Sequence, residues 1–218
     1  MHYVWAVVCI QNKQELTKYL KLYLIFEVGF LKLPVDEFLE RVFSAGVTAI
    51  QLRCKGLPPS KLYKIGLIIK KHLHRRDILF IVNDRADIAC LLHSDGLHIG
   101  LTDIPLPATN KHFKNLIIGY SCHSERDIDY AVKFGADYIG IGSVFPTNTK
   151  DDVEKILGVN ALEKLAATSK LPAVAIGGIN EKNIELIKNT SINGVAISSA
   201  ICASDHPELV IKKIRDIF

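Results

Sequence analysis

The chain has 218 residues, of which 49% are hydrophobic and 23% are charged, and its formal net charge is +4. This length allows one domain with a full hydrophobic core, and the small positive excess argues against a nucleic-acid-binding protein while suiting an anionic small-molecule ligand. The five cysteines are odd in number and show no CxxC spacing. They argue against a disulfide framework and a zinc site, and they predict a cytoplasmic protein.

The first residues predict neither a membrane anchor nor a signal peptide. Their apolar run is far shorter than the roughly 18 residues that span a bilayer, and it lacks a basic region and a small-residue cleavage site. We expect residues 1–20 to form an extension ahead of a single domain over residues 21–218.

Eight short apolar segments follow one another along the chain and are typical of buried strands. They are residues 23–26, 47–53, 78–82, 96–100, 116–121, 138–142, 173–176 and 194–198. Helix signals follow nearly all of them, over residues 34–46, 60–69 (with Ser60 as the cap), 86–92, 125–134, 160–168, 181–189 and 207–218. Eight such units favour closure into a (β/α)8 barrel, the TIM barrel, over an open doubly wound sheet. The first strand also has no dinucleotide-binding fingerprint after it.

The working residues of such a barrel lie where its strands end. Gln51, Arg53 and Lys55 end the second strand and share one face, because side chains alternate along a strand. Two cations and an amide on one face suit a diphosphate. A solvated strand end with chance charges is the alternative.

The third and fourth strands end in acidic residues. Asp84 follows Asn83 directly after the third strand, and Asp103 follows the fourth. A carboxylate at each of two neighbouring strand ends predicts a Mg²⁺ site, since Mg²⁺ takes one or two carboxylates beside phosphate oxygens. Taken alone, the Asn83–Asp84 pair favours a helix cap, and the alternative for Asp103 is a loop residue that makes a turn.

The loop after the sixth strand contains Thr147, Thr149 and Lys150. These residues offer two hydroxyls and an ammonium group. A Schiff-base role for Lys150 is disfavoured, because a polar loop does not provide the desolvation that lowers a lysine pKa. We interpret Lys150 as a phosphate-reaching side chain.

Phosphate binding is also predicted after the last two strands. Gly177 and Gly178 end the seventh strand, and Ser198 and Ser199 end the eighth. Glycines allow backbone N–H groups to approach a phosphate, and this is the common phosphate site of such barrels.

Two histidines have competing interpretations. His98 lies within an apolar strand and is expected to be a core histidine. His123 follows the fifth strand, where Ser124 predicts a helix cap, and an acid/base role for His123 stays open.

Taken together, five segments resemble the thiamine phosphate synthases, in order and at similar spacing. They are Gln51–Lys55, Val82–Ala89, Asp95–Gly100 with Asp103, Pro146–Lys150 and Ala175–Ile179. The resemblance covers roughly residues 21–218. It implies a transferase that joins 4-amino-2-methyl-5-hydroxymethylpyrimidine diphosphate to a thiazole phosphate and releases diphosphate and thiamine phosphate.

The resemblance also implies residue roles. Asp84 and Asp103 would hold Mg²⁺. The pyrimidine diphosphate would be held by Gln51, Arg53, Lys55, Asn83, Ser121 and Lys150, of which Arg53, Lys55, Ser121 and Lys150 are the expected catalytic residues. The thiazole phosphate would be held by Thr147, Thr149, Gly178, Ser198 and Ser199.

The sequence departs from the family pattern in places. Leu101 stands where the family commonly has Gln, Cys54 where it has Glu, and Ser143 where it often has Pro. A thiazole tautomerase of the same superfamily and a non-catalytic phosphate-binding barrel are therefore the alternatives. The expected partners are small-molecule phosphate substrates, with no nucleic acid and no membrane, and a homo-oligomer is left open.

Overall fold

Eight parallel strands close into a barrel in the ranges that the computed structural model describes, residues 13–147 and 156–218. Each strand pairs with the next one along the chain, and β1 pairs with β8. The predicted (β/α)8 barrel is confirmed. The strands are β1 (Leu22–Phe26), β2 (Ala49–Leu52), β3 (Leu79–Asn83), β4 (Gly96–Ile99), β5 (Ile117–Cys122), β6 (Tyr138–Ile141), β7 (Ala173–Ile176) and β8 (Gly194–Ile197).

Helices surround the strands and also precede them. They are α1 (Lys13–Leu20), α2 (Val35–Ala45), α3 (Pro59–Leu73), α4 (Ala86–Leu92), α5 (Leu106–His112), α6 (Glu125–Lys133), α7 (Gly158–Thr168), α8 (Ser199–Cys202) and α9 (Pro207–Ile217). Short 3-10 turns cover Val28–Phe30 and Ile184–Leu186. Within the described ranges, none of these helices combines the length and the apolar character needed to cross a membrane.

The strands separate two apolar layers, as alternation of side chains requires. On β2, Ile50 and Leu52 are buried in the outer layer against the helices, whereas Ala49 is buried in the inner layer. Helix α1 contributes Leu16 and Leu20 to the inner layer, which places it against the end of the barrel where the strands begin. The predicted site residues lie at the other end, where the strands terminate.

One expected helix is absent. Residues 181–189 were predicted to be helical, but the structure has only the 3-10 turn Ile184–Leu186 there. The Asn180 carbonyl side-chain oxygen accepts from the Lys182 N–H at 2.9 Å, and the Asn183 side chain both accepts from the Asn180 N–H and donates to the Gly178 carbonyl. These bonds compete with helical ones, so the turn replaces the helix.

Two other helix limits differ from expectation. Helix α3 begins at Pro59 with Pro58 at the N-cap position, so Ser60 lies inside the first turn. Helix α5 was not anticipated, because its sequence carries Pro107, Thr109 and Asn110, which are poor helix formers. Asn110 Nδ2 donates to the Gly135 carbonyl at 3.0 Å, a contact between distant segments that sequence periodicity does not reveal.

Candidate active site

A cavity of about 760 Å³ opens at the end of the barrel where the strands terminate. It is lined by most of the predicted site residues, namely Gln51, Arg53, Lys55, Asn83, Asp84, Asp103, Ser121, Thr147, Gly178, Ser198 and Ser199. The other two, Thr149 and Lys150, lie outside the described residues. The structure thus brings the described members of the set around one space large enough for a small-molecule ligand.

The cationic side of the cavity is held by carboxylates. Arg53 Nη1 lies 3.0 Å from Glu27 Oε2, and both side chains are largely buried. Lys55 Nζ lies 3.6 Å from Asp84 Oδ2. Burial raises the pKa of Glu27, and the neighbouring Arg53 opposes that rise. Glu27, which sequence reasoning missed, therefore fixes Arg53; its place directly after β1 was the available signal.

Asp84 and Asp103 form an acidic pair at the ends of β3 and β4. Burial, followed by the adjacent Asp103 carboxylate, raises the pKa of Asp84 to about 6. The Asp103 Oδ2 atom accepts a hydrogen bond of 2.7 Å from the Gly100 N–H. Two like charges held this close resist joint ionisation, and a cation between them would relieve that repulsion.

The backbone at Asp84 adopts an unusual conformation. Its φ of +58° lies in the left-handed region, which is unusual for a residue with a side chain. Arg85 occupies the N-cap position of α4 and makes no side-chain cap bond, so α4 begins without the predicted kind of cap.

Across the described ranges, no group of three or more His, Cys, Asp or Glu side chains is arranged to hold a metal.

The opposite side of the cavity is built from β7, β8 and the segment after β6. The Val144 N–H donates to the Ile176 carbonyl and the Phe145 N–H to the Gly177 carbonyl, both at 3.0 Å. This pairing lays the segment that leads to Thr147 along the end of β7. The Ser198 Oγ atom is buried and has no hydrogen-bond partner among the described residues. Such a hydroxyl is expected to be completed by a bound ligand or water.

Gly178 lines the cavity, and the fold also requires a glycine at this position. Its φ is +65°, and an added Cβ would lie 2.4 Å from the Pro146 carbonyl oxygen and 2.8 Å from Phe145 Cβ. A Gly178→Ala variant is therefore expected to lose about 1–3 kcal/mol of unfolding free energy. Chemical denaturation of the protein without ligand measures this loss, with Gly29→Ala, where no atom would lie within 4 Å of the new Cβ, as the control. Equal stability of the two variants would contradict the prediction.

Besides His98, the floor of the cavity contains Tyr23 and Tyr138, which the sequence did not single out. His98 is buried, with 8% of its surface exposed, as expected for a core histidine, yet it lines the cavity together with Tyr23 and Tyr138. Its two ring nitrogens contact the Tyr138 hydroxyl and the Ser121 hydroxyl, each at 3.0 Å. His98 is thus a polar core residue in contact with a predicted site residue.

A family model described as thiamine monophosphate synthase matches residues 22–201. The chain belongs to the thiamine monophosphate synthase family. It is a transferase, because relatives that are 36–41% identical to it are thiamine-phosphate synthases.

Relatives of the family are similar over nearly their whole length. The thiamine-phosphate synthase of Pyrococcus furiosus is 38% identical over 198 residues, which cover 91% of this chain and 94% of the relative. That of Methanococcus vannielii is 41% identical over 178 residues, covering 82% and 86%. The solved structure of a thiamine phosphate pyrophosphorylase from Pyrococcus furiosus superposes with a TM-score of 0.85 at 36% identity, covering 93% of this chain and 96% of that one.

The fold is also found outside the thiamine monophosphate synthase family. A 3-hexulose-6-phosphate synthase superposes with a TM-score of 0.69 at 15% identity, covering 91% of this chain and 99% of that one. Similarity at this level concerns the barrel alone.

Two departures from the family pattern, Leu101 and Ser143, line the cavity. Leu101 lines the cavity with 61% of its surface exposed, so an apolar side chain stands at the rim beside Asp103.

His123 Nδ1 contacts the Gly142 carbonyl oxygen, which can only accept. The proton of that ring therefore sits on Nδ1. The predicted cap of α6 is confirmed, because Ser124 accepts from the Asp127 N–H.

Proposed function

We propose that the protein catalyses the reaction named for its family in its own cavity. It would join 4-amino-2-methyl-5-hydroxymethylpyrimidine diphosphate to thiazole phosphate, giving thiamine phosphate and diphosphate. One observation supports this assignment of the site: a single cavity is lined by Arg53, Lys55, the Asp84–Asp103 pair and the Ser198 hydroxyl, which has no partner among the described residues. Cations and acidic metal ligands on one side suit a diphosphate, and a buried hydroxyl on the other suits a second phosphate.

The acidic pair fits Mg²⁺. Asp84 and Asp103 are carboxylates, the ligands that Mg²⁺ prefers. Burial first, and then the Asp103 carboxylate, raise the pKa of Asp84, and a bound cation would offset both effects. These two residues would hold the ion. When bound, Mg²⁺ supplies positive charge to the diphosphate oxygens.

The protein groups would act on charge rather than as nucleophiles. In the proposed first step, the bond between the pyrimidine methylene carbon and the diphosphate oxygen breaks, and its electron pair leaves with the diphosphate. Arg53 and Lys55 stabilise the negative charge that develops there, and Lys150 is predicted from the sequence to do the same. The lone pair of the thiazole nitrogen then forms the new bond to carbon. Gln51, Asn83 and Ser121 would orient the pyrimidine diphosphate.

The sequence also supports proposals for the location, the domain organisation and the partners of the protein. The chain is expected to act in the cytoplasm, as its cysteine pattern predicts. Residues 1–20 would be an extension and residues 21–218 the catalytic domain. Its partners would be small phosphate-bearing substrates rather than nucleic acid, and a homo-oligomer is compatible with this activity.

An assay with both substrates tests the proposed function. The purified chain is incubated with the pyrimidine diphosphate and thiazole phosphate, with Mg²⁺ or with a chelator, and thiamine phosphate and diphosphate are measured. We expect equal amounts of both products, dependent on Mg²⁺. Isomerisation of the thiazole without thiamine phosphate would instead identify a tautomerase, and binding without turnover would identify a non-catalytic barrel.

Removing the Ser198 hydroxyl should weaken binding of thiazole phosphate without lowering the stability of the protein. Ser198→Ala is expected to raise the KM for thiazole phosphate about tenfold while leaving the KM for the pyrimidine diphosphate unchanged. The melting temperature should stay the same or rise, because the buried Ser198 Oγ has no partner in the described ranges. Ser191→Ala, at an exposed hydroxyl that contacts Glu163, is the control. An unchanged KM for thiazole phosphate would remove Ser198 from the site.

Mg²⁺ affinity should weaken in acid. Because the pKa of Asp84 is raised to about 6, this carboxyl takes up a proton as the pH falls through that value. The ion must displace the proton, so the apparent affinity is expected to fall roughly tenfold for each pH unit below about 6. Calorimetric Mg²⁺ titrations across this range measure the effect. An affinity that stays constant down to the ordinary aspartate range would show that Asp84 is not a ligand.

A further inference from the structure

A chain of hydrogen bonds runs through the barrel interior and ends at the cavity. Gln51 Nε2 donates to the Tyr23 hydroxyl at 2.8 Å, which lies 2.9 Å from the Tyr138 hydroxyl. The Tyr138 hydroxyl lies 3.0 Å from His98 Nδ1, and His98 Nε2 lies 3.0 Å from Ser121 Oγ. The first four residues are buried, whereas Ser121 is half-buried and lines the cavity.

The donors and acceptors fix the direction of this chain. An amide nitrogen only donates, so the Tyr23 oxygen accepts from Gln51 and its own proton goes to Tyr138. The Tyr138 oxygen is then an acceptor from Tyr23, and its proton goes to His98 Nδ1. A nitrogen that accepts carries no proton, so the proton of the His98 ring is on Nε2.

The opposite direction leaves a buried donor without a partner. If His98 carried a proton on Nδ1, Tyr138 would accept it and would donate to Tyr23, whose own proton would face the Gln51 amide donor. A buried hydroxyl without an acceptor is costly. Burial raises the pKa of both Tyr23 and Tyr138, so both phenols keep the protons that this accounting requires.

We propose that Tyr138 and His98 are positioning residues that aim the Ser121 hydroxyl proton into the cavity. His98 Nε2–H donates to Ser121 Oγ, so the Ser121 proton must point elsewhere, and the open side of Ser121 is the cavity. This inference rests on the proposed function, in which Ser121 contacts the pyrimidine diphosphate. Ser121 thereby becomes a pre-oriented donor to an oxygen of the leaving diphosphate, where such a donor is most effective.

Two phenylalanine variants test this role in turnover. Tyr138→Phe removes the donor to His98 Nδ1 and is expected to lower kcat roughly tenfold, with little change in either KM, because the donor is needed as charge develops. Tyr23→Phe removes a buried phenol of the same kind but leaves Tyr138 with His98 as its acceptor, so its kcat should fall less than about threefold. Equal losses of kcat in the two variants would overturn the inference.

A double-mutant comparison separates positioning from general damage. If Tyr138 acts through Ser121, adding Tyr138→Phe to a Ser121→Ala variant should lower kcat no further. If the two losses multiply, Tyr138 affects turnover by another route and the inference is wrong.

The proton on His98 can be observed directly. Long-range ¹H–¹⁵N spectra of the protein distinguish the ring tautomers, and a His98→Gln variant assigns the His98 signals among the eight histidines. We expect Nε2–H in the wild type and in Tyr23→Phe, and loss of that single tautomer in Tyr138→Phe. A proton on Nδ1 in the wild type overturns the inference even if thiamine phosphate is formed. A wild type that makes no thiamine phosphate overturns the proposed function, whatever tautomer is seen.

Discussion

Asp84→Asn and Asp103→Asn are each expected to lower turnover by about a hundredfold or more in the presence of Mg²⁺. Each change keeps the size of the side chain and removes one of the two negative charges that would hold the ion beside the leaving diphosphate. Turnover should partly recover at high Mg²⁺ concentration, because each substitution mainly weakens Mg²⁺ binding and leaves the rest of the site in place. Steady-state rates across a Mg²⁺ titration measure both effects.

The fold should survive these changes. Burial and Asp103 disfavour the Asp84 anion more than Lys55 and Arg53 favour it, so removing its charge relieves a net unfavourable interaction. Unfolding free energies should therefore stay within about 1 kcal/mol of the wild type or rise. Asp87→Asn is the matched control, because Asp87 lies three residues after Asp84, is mainly exposed and pairs with Arg85. Asp87 is not among the residues that line the cavity. Normal turnover of both Asp84 and Asp103 variants would show that the pair does not hold the metal.

The fold could be predicted from the sequence because its main signal is local. Each strand is a short apolar run of its own, and closure follows from the number of such runs. The prediction failed over residues 181–189, where the Asn180 and Asn183 side chains bond to the backbone and replace a helix that the pattern allowed. That competition depends on side-chain placement, which periodicity does not encode.

The rim of the cavity was accessible to sequence reasoning, but its floor was not. Polar residues such as Lys55 or Asp103 stand out where an apolar strand ends, and the barrel brings strand ends together. Tyr23 and Tyr138 lie inside apolar strands and look like ordinary core residues. They meet only because β1 and β6 face each other across the closed barrel, a contact between residues far apart in the chain.

Lys150→Ala and His123→Ala should have unequal effects. In the proposed reaction, Lys150 meets the diphosphate as it leaves, so its removal is expected to lower kcat by about a hundredfold while KM changes less. His123→Ala should cost less than about tenfold, because bond breaking in that step needs no general base. Lys155→Ala, which removes the same charge from the same stretch of sequence, is the control for Lys150.

The geometry of His123 also allows an acid/base role at the cavity. Its Nδ1 donates to the Gly142 carbonyl, so the neutral ring has an unprotonated Nε2, and the residue lines the cavity. A base in this state could move a proton on the thiazole, which is the reaction of a tautomerase. Both variants are therefore measured for thiamine phosphate formation and for thiazole isomerisation. An inactive His123 variant beside a fully active Lys150 variant would contradict the proposed synthase reaction, because catalysis would then depend on proton transfer rather than on charge placed at the leaving diphosphate.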